Sequence, residues 1–140
     1  MRSTVLCPAP APRAPADLAY ARTCYDHLAG EIAVAIHRQL LDAGRLVEDD
    51  GHLTINPSGY ELLASMGVDV NAIRSSKRPK ARPCLDWTQR RHHLAGAAGK
   101  ELLIAFSANN WIRTGHHPRS VTITETGRLA IAHHFPLSAS

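Results

Sequence analysis

The feature that most constrains the fold is a long-range repeat within the chain. The segment Ala21–Asp26, which reads ARTCYD, returns as Ala81–Asp86, which reads ARPCLD. The segment His27–Gly30, which reads HLAG, returns as His93–Gly96. Repetition of this kind indicates one supersecondary unit used twice, with the two copies packed on each other. It predicts two sets of neighbours about a pseudo-twofold axis: Cys24 with Cys84, and Asp26 with Asp86.

A further repeat follows these motifs in each copy. Leu53–Ile55 followed by Gly59 returns as Val121–Ile123 followed by Gly127. At 140 residues, the chain is long enough for one compact domain or for two small units that share one core.

The chain is expected to be cytoplasmic and to have no membrane segment. No apolar stretch approaches the roughly 20 residues that a membrane helix needs. The start of the chain lacks the apolar run of a signal peptide, and three cysteines without an export signal favour reduced thiols. Residues 1–16 contain Pro8, Pro10, Pro12 and Pro15, which predicts a flexible or extended lead-in.

Apolar periodicity, capping residues and turn residues predict similar elements in the two copies. In the first copy these are helices over Ala16–Leu28 and Glu31–Leu41, a hairpin of Leu46–Val47 with Leu53–Ile55, a helix from Asn56 to Gly67 with Asn56 as its cap, and a short helix from Asp69 through Ile73. In the second copy they are helices over Cys84–Leu94 and Gly96–Asn109, a hairpin of Trp111–Arg113 with Ser120–Ile123, and a helix from its cap Thr124 to His134.

The order helix, helix, two-stranded wing, helix is that of the second half of a winged helix-turn-helix. The sequence therefore predicts a mainly α fold with short β-hairpin wings (α+β), built as two tandem winged-helix-like repeats packed about a pseudo-twofold axis. The predicted segments are a lead-in over 1–16, a first repeat over 17–76, a basic linker over 77–82, a second repeat over 83–136 and a tail over 137–140.

A cysteine and a histidine in the first copy are candidate metal ligands. Cys24 and His27 lie three residues apart on a predicted helix, so both side chains face the same way. Thiolate and imidazole bind zinc, copper(I) or a related soft metal. The alternative is a small buried residue beside a histidine at a helix end, and the second copy has Trp87 at the matching distance from its cysteine. A stronger variant uses both copies, with these residues converging at the shared interface: Cys24, Cys84, Asp26 and Asp86.

The chain also contains nine histidines, some of them in doublets. Adjacent residues on a helix point about 100° apart, so a doublet such as His92–His93 makes a poor chelate there. Arg22 and Arg82 each precede an aspartate by four residues, at Asp26 and Asp86. This spacing predicts an ion pair within a helix, and the alternative is an arginine and a carboxylate presented to a small ligand in a pocket between the copies.

Basic residues suggest contact with nucleic acid. The net charge is +4, which is compatible with binding to phosphate, and a solvated linker is the alternative reading of a charge run. Trp87 and Trp111 are expected to anchor the core. The candidate contacts lie in the linker, after it, and at the tip of the second wing: Arg74, Lys77, Arg78, Lys80, Arg90, Arg91, His116, His117 and Arg119.

Catalytic motifs are missing from the sequence. It contains no nucleophile elbow, no glycine-rich phosphate loop and no His-Glu-x-x-His motif. Cysteine, histidine and aspartate are present, but no spacing assigns them to a catalytic set. The chain is therefore expected not to be an enzyme.

The repeated phrases resemble the C-terminal half of a bacterial subgroup of ArsR-type transcriptional regulators. The resemblance covers Ala21 to Phe135 and is carried by Ala21–Gly30, by Ala81–Arg91 with His93–Gly96, and by Leu53–Thr54 and Ile123–Thr124 with their following glycines. In that subgroup a DNA-reading winged helix precedes this region, and here only the proline-rich segment occupies that place. The resemblance implies a role in effector sensing or dimer assembly.

The expected function is therefore the effector-sensing and assembly portion of an ArsR-type regulator. Its partners would be DNA, bound directly or through a missing N-terminal domain, and a second copy of the chain. The alternatives are direct DNA binding through the wings and the basic linker, and a protein–protein interaction module without a ligand. The candidate sensing residues are Cys24, His27 and Cys84, with Asp26, Asp86, Arg22 and Arg82 as partners, and a soft metal such as zinc is the candidate cofactor.

Overall fold

The computed structural model describes residues 20–86, 88–115 and 119–136, and these form a mixture of helix and strand. The described residues contain five helices and four small antiparallel hairpins. The lead-in and tail predicted over 1–16 and 137–140 lie outside them, as do Trp87, His116 and His117. No helix among the described residues is long and apolar enough to cross a membrane.

The elements occur in the same order in both halves of the chain: hairpin, helix, hairpin, helix. The first half comprises β1 (Arg22–Cys24), β2 (His27–Ala29), α1 (Glu31–Asp42), β3 (Leu46–Asp49), β4 (His52–Ile55), α2 (Pro57–Ser65) and the additional short α3 (Val70–Ser75). The second half comprises β5 (Arg82–Leu85), β6 (His92–Ala95), α4 (Gly96–Ala108), β7 (Ile112–Thr114), β8 (Val121–Ile123) and α5 (Glu125–His134).

Most of the predicted elements are confirmed. The helices beginning at Glu31 and Gly96 and all strands of the two later hairpins are present. Asp69 and Thr124 cap their helices, because their side chains accept hydrogen bonds from the N–H groups of Ala72 and Gly127. Asn56 does not act as the predicted side-chain cap, since its Nδ2 instead donates to the carbonyl oxygen of Gly44 at 2.5 Å.

Two predicted helices are wrong. Ala16–Leu28 was expected to be helical, but β1 and β2 form a hairpin there, and Cys84–Leu94 is replaced by the hairpin of β5 and β6. Tyr25, which lies within the predicted helix, is 90% exposed and has a φ of 59° at the turn. A two-stranded hairpin of this size is marginally stable alone. Its stability therefore comes from packing against distant parts of the chain.

In that packing, a helix of each half contacts a strand of the other half. Helix α1 of the first half lies against β6 of the second, and α4 of the second half lies against β2 of the first. Leu28 and Ile36 share one apolar core with Leu94 and Phe106. The two opening hairpins are thereby held side by side, with β2 in contact with β6.

Candidate functional site

The opening hairpins present the same pair of side chains. Cys24 lies directly across from His27 in the first hairpin, and Cys84 lies directly across from His93 in the second. Cross-strand partners project to the same face of a hairpin. Each hairpin therefore supplies one thiol and one imidazole to the junction between the halves.

These four residues, Cys24, His27, Cys84 and His93, form a group that we term the Cys2His2 cluster. One ligand atom from each residue lies within 4.8 Å of every other. The two imidazole Nε2 atoms are 3.1 Å apart, with ring centroids separated by 4.9 Å. His27 is 3% exposed and His93 is 0% exposed, whereas both cysteines are partly buried. The cluster has the donor atoms that could hold a soft or borderline metal ion.

The Nδ1 atom of each histidine in the cluster contacts a carboxylate. His93 Nδ1 lies 2.9 Å from Asp86 Oδ2, and His27 Nδ1 lies 3.3 Å from Asp26 Oδ1. An ionised carboxylate only accepts hydrogen bonds, so the Nδ1 atoms donate. Both Nε2 atoms then face the centre of the cluster.

Asp86 is the more deeply buried of the two carboxylates. Besides His93, it accepts hydrogen bonds from the backbone N–H of Gly30 at 2.6 Å, the hydroxyl of Thr88 at 2.6 Å and Nη2 of Arg22 at 3.2 Å. Burial alone would raise the pKa of Asp86, but these donors and the Arg22 charge lower that pKa far below its ordinary value. Asp86 is therefore a fixed negative charge that joins the two halves.

Asp26 supports the other histidine from a more open position. Its Oδ2 accepts a 2.6 Å hydrogen bond from Nη1 of Arg78. Burial raises the pKa of Asp26, but the hydrogen bonds from Arg78 and His27 outweigh burial and leave the pKa below its ordinary value. Arg78 lies in the predicted basic linker, and its side chain binds Asp26 beside the cluster instead of extending into solvent.

The surroundings of His27 favour the neutral form of its imidazole. Burial is the main cause that lowers the pKa of His27, and the neighbouring His93 lowers it further. Burial also raises the pKa of the Cys84 thiol, and the adjacent Cys24 adds to that rise. Neutral imidazole is the form that binds a metal ion.

Three members of the cluster were candidate ligands in the sequence, and the fourth was not. The structure brings the candidate residues Cys24, His27 and Cys84 together, on hairpins instead of helices. Asp26 and Asp86 contact the histidines and lie outside the set of four donor residues. His93 was passed over because it is the second residue of a doublet. On a strand, however, neighbours alternate between faces, so His92 is exposed while His93 is buried. The repeated HLAG motif, which aligns His93 with His27, carried the signal for the fourth residue.

The predicted ion pairs within helices do not form. Arg22 crosses to Asp86 of the other half instead of pairing with Asp26, and Arg82, its counterpart in the repeat, is exposed. The suggested pocket in which an arginine and a carboxylate meet a ligand is also wrong for Arg22, since its guanidinium and Asp86 are buried against each other. A cavity of about 420 Å³ lies elsewhere and has a mostly apolar lining: Tyr20, Ile32, Ile123, Arg128, Ile131, Ala132 and Pro136.

Some of the candidate nucleic-acid contacts are engaged with other parts of the chain. The guanidinium of Arg74 stacks over the ring of Tyr60, 4.0 Å from its centroid. Arg119 is tied to the first hairpin, because its carbonyl oxygen accepts from the N–H of Thr23 and its Nε donates to the Thr23 carbonyl. Trp111 lies in the core as predicted. The candidate contacts that the structure describes as exposed are Arg74, Lys77, Lys80, Arg90, Arg91 and Arg119.

A comparison with known proteins supports a family of transcriptional regulators. The chain is 37% identical over 118 residues to the uncharacterized HTH-type transcriptional regulator YdfF of Bacillus subtilis (strain 168). The match covers 84% of this chain and 52% of the relative, so the chain spans about half the length of the curated relative that it matches. That relative is a transcriptional regulator, in agreement with the prediction that this chain is not an enzyme. No family model and no solved structure matches the chain.

Proposed function

We propose that this chain, as a relative of an HTH-type transcriptional regulator, is the effector-sensing and assembly portion of an ArsR-type regulator. The observation that carries the proposal is the Cys2His2 cluster, which is complete only when both halves of the chain pack together. A site of this kind is suited to sensing, because any ligand that bridges the halves favours their packed arrangement over others. The similarity to YdfF supports the regulatory role.

The proposed architecture consists of two tandem winged-helix-like repeats over 17–76 and 83–136, joined by the basic linker over 77–82. DNA reading then belongs to a winged helix outside the residues matched here, and the half of YdfF that the match does not cover leaves room for one. Bacterial regulators that read palindromic operators bind as symmetric dimers. We therefore expect this portion to assemble as a homodimer.

Two contacts connect residues next to the cluster with the second wing and with the linker. Thr23, next to Cys24, exchanges backbone and side-chain hydrogen bonds with Arg119 at the second wing. Asp26, next to His27, holds Arg78 of the linker. A ligand that fixes Cys24 and His27 thus also fixes the positions of the second wing and the linker.

Direct DNA binding is the second candidate function, and the exposed basic residues favour it. A chain that contacts phosphates through Lys77, Lys80, Arg90 and Arg91 releases counterions, so its affinity for DNA falls steeply as salt increases. Fluorescence anisotropy of a labelled mixed-sequence duplex, titrated with the chain at low and at physiological salt, distinguishes the two functions. The sensing and assembly role predicts no binding at either salt. Binding that fades with salt supports direct contact with DNA.

The assembly role is tested separately by sedimentation equilibrium of the same chain, with a Cys24→Ser, Cys84→Ser variant alongside. We expect a dimer whose dissociation constant changes when the two thiols are removed. A chain that stays monomeric at all accessible concentrations contradicts assembly. A dimer that the thiol substitutions leave unchanged contradicts sensing and supports an interaction module without a ligand.

A further inference from the structure

The four donor atoms of the cluster match the ligand set of one kind of metal ion. Two thiol sulfurs and two imidazole nitrogens are the donors that zinc takes in four-coordinate sites. With metal–ligand lengths of about 2.0 to 2.3 Å, tetrahedral neighbours lie roughly 3.3 to 3.8 Å apart. The 3.1 Å between the Nε2 atoms of His27 and His93, and the 4.8 Å limit on the whole set, lie near that geometry.

The histidine pair gives an independent reason for a cation. Because the Nδ1 atoms face Asp26 and Asp86, the two Nε2 atoms face each other at 3.1 Å. Both rings are buried, and at this distance the two nitrogens need either one proton or one cation between them. A metal ion in that position uses the lone pairs of both nitrogens while each ring keeps its contact with a carboxylate.

The surroundings of the two rings follow the pattern of metal-ligating histidines. Such a histidine donates its other ring N–H to a carboxylate or carbonyl, which fixes the tautomer and the ring orientation. Here both histidines do so, and Asp86 is itself anchored by Arg22 and by the backbone N–H of Gly30. Asp26 and Asp86 are therefore positioning residues for the site.

We propose that Cys24, His27, Cys84 and His93 bind one zinc-type divalent ion in a four-coordinate N2S2 site that joins the two halves of the chain. Soft thiolate donors select zinc over hard cations such as Mg²⁺ and Ca²⁺, which take oxygen ligands. Four protein ligands close the coordination sphere, as in structural zinc sites, and leave no open position for catalysis. The ion is then the effector of the sensing site, and this regulatory meaning rests on the proposed function.

Cobalt(II) is the probe that reports coordination directly. In a Cys7→Ser background, which removes the one cysteine outside the described residues, the chain is titrated with Co²⁺ and then with Zn²⁺ as competitor. We expect one Co²⁺ per chain, with the intense visible absorption of tetrahedral cobalt and a thiolate charge-transfer band, both abolished by one equivalent of Zn²⁺. A weak octahedral spectrum, or no binding, overturns the proposal.

Histidine variants identify the ligands. His93→Gln is expected to lose the tetrahedral spectrum, whereas His92→Gln, the exposed neighbour on the same strand, is expected to keep it. Asp26→Asn is expected to keep the spectrum and to weaken Zn²⁺ binding about 10- to 100-fold, as loss of a supporting carboxylate does. Circular dichroism checks that each variant is folded. If His93→Gln does not fold, the cobalt spectrum of the parent chain still tests whether the site is tetrahedral. Equal Zn²⁺ affinity in folded His93→Gln and the parent overturns the ligand assignment.

Different measurements test the metal site and the sensing role. Sedimentation equilibrium of the same chain with and without Zn²⁺ reports the effect of the ion on assembly. Tetrahedral binding together with a Zn²⁺-dependent dimer constant supports both. Tetrahedral binding with no change in assembly leaves the metal site standing and contradicts the sensing role.

Discussion

Arg22 and Asp86 form a buried ion pair that links the two halves of the chain. Nη2 of Arg22 lies 3.2 Å from Oδ1 of Asp86, and the side chains are 1% and 0% exposed. Asp86 in turn holds His93 of the Cys2His2 cluster. One buried charge therefore has two tasks, since it joins the halves and orients a proposed metal ligand.

Removing the arginine of this pair is expected to destabilise the protein strongly. Arg22→Met leaves Asp86 as a buried charge with less compensation, and loss of one partner of a buried pair costs about 3 to 5 kcal/mol. Arg82→Met is the matched control, because Arg82 occupies the equivalent repeat position but is exposed, and it is expected to change stability by no more than about 0.5 kcal/mol. Urea unfolding measures both, and equal effects would contradict the structural role of Arg22.

Two glycines of the repeat each lie so close to a backbone carbonyl that substitution by a larger residue is expected to destabilise the fold. A Cβ at Gly59 would collide with the carbonyl oxygen of Arg45, and a Cβ at Gly127 would collide with that of Trp111. In each half this close approach lets a helix pack against the backbone that leads into the preceding hairpin. Gly59→Ala and Gly127→Ala are each expected to cost about 1 to 3 kcal/mol in the free energy of unfolding.

The neighbouring exposed positions provide controls for these glycine variants. Ser58→Ala and Thr126→Ala change the residue just before each glycine, at the helix surface. Both are expected to stay within about 0.5 kcal/mol of the parent in the same unfolding experiment. If the glycine variants were as stable as these controls, the backbone contacts would not be limiting.

His37 on α1 is expected to make stability depend on pH. Burial lowers the pKa of His37 to about 4, and the nearby His92 and His93 on β6 contribute to that decrease. Between pH 6.5 and 4 the unfolded chain then binds a proton at His37 that the folded chain does not bind. Stability therefore falls as pH decreases through that window, by up to on the order of 3 kcal/mol.

The contribution of His37 is measured by comparison with His37→Leu. Urea unfolding of both proteins at several pH values from about 7.5 to about 4, with a chelator present, gives the difference in stability as a function of pH. The parent is expected to lose more stability than the variant over this range, and parallel curves would contradict the prediction.

The thiols of the cluster are expected to be protected by zinc. In the Cys7→Ser background, Cys24 and Cys84 are both partly buried and close enough to share one ion. Alkylation by iodoacetamide, followed by mass spectrometry, is expected to slow at both thiols when Zn²⁺ is added and to recover with a chelator, since a metal-bound thiolate is less available for attack. In Cys84→Ser the remaining thiol is expected to gain less protection. Rates that zinc leaves unchanged would contradict coordination by sulfur.

Much of the fold could be predicted from the sequence, because its signals are local. The amphipathic spacing of Ile32, Ile36 and Leu40 predicts α1, and the turn at Asp50–Gly51 predicts the hairpin beside it. Thr124 caps its helix with a side chain only three residues from its partner. The repeat is a longer-range signal, and its alignment of the two copies is sufficient to predict that Cys24 and Cys84 are neighbours.

Only the tertiary structure decided that the two opening segments are hairpins, that His93 completes the cluster and that Arg22 pairs with Asp86. The segment Ala16–Leu28 fits a helix by local spacing, but the strands β1 and β2 form where α4, from the other half of the chain, packs on β2. In a strand, successive side chains point to opposite faces, so His92 and His93 face in opposite directions. Arg22 and Asp26, four residues apart, no longer lie one helical turn apart and therefore do not pair. The physical reason is that burial and pairing of short strands depend on residues far along the chain, and no local pattern contains that information.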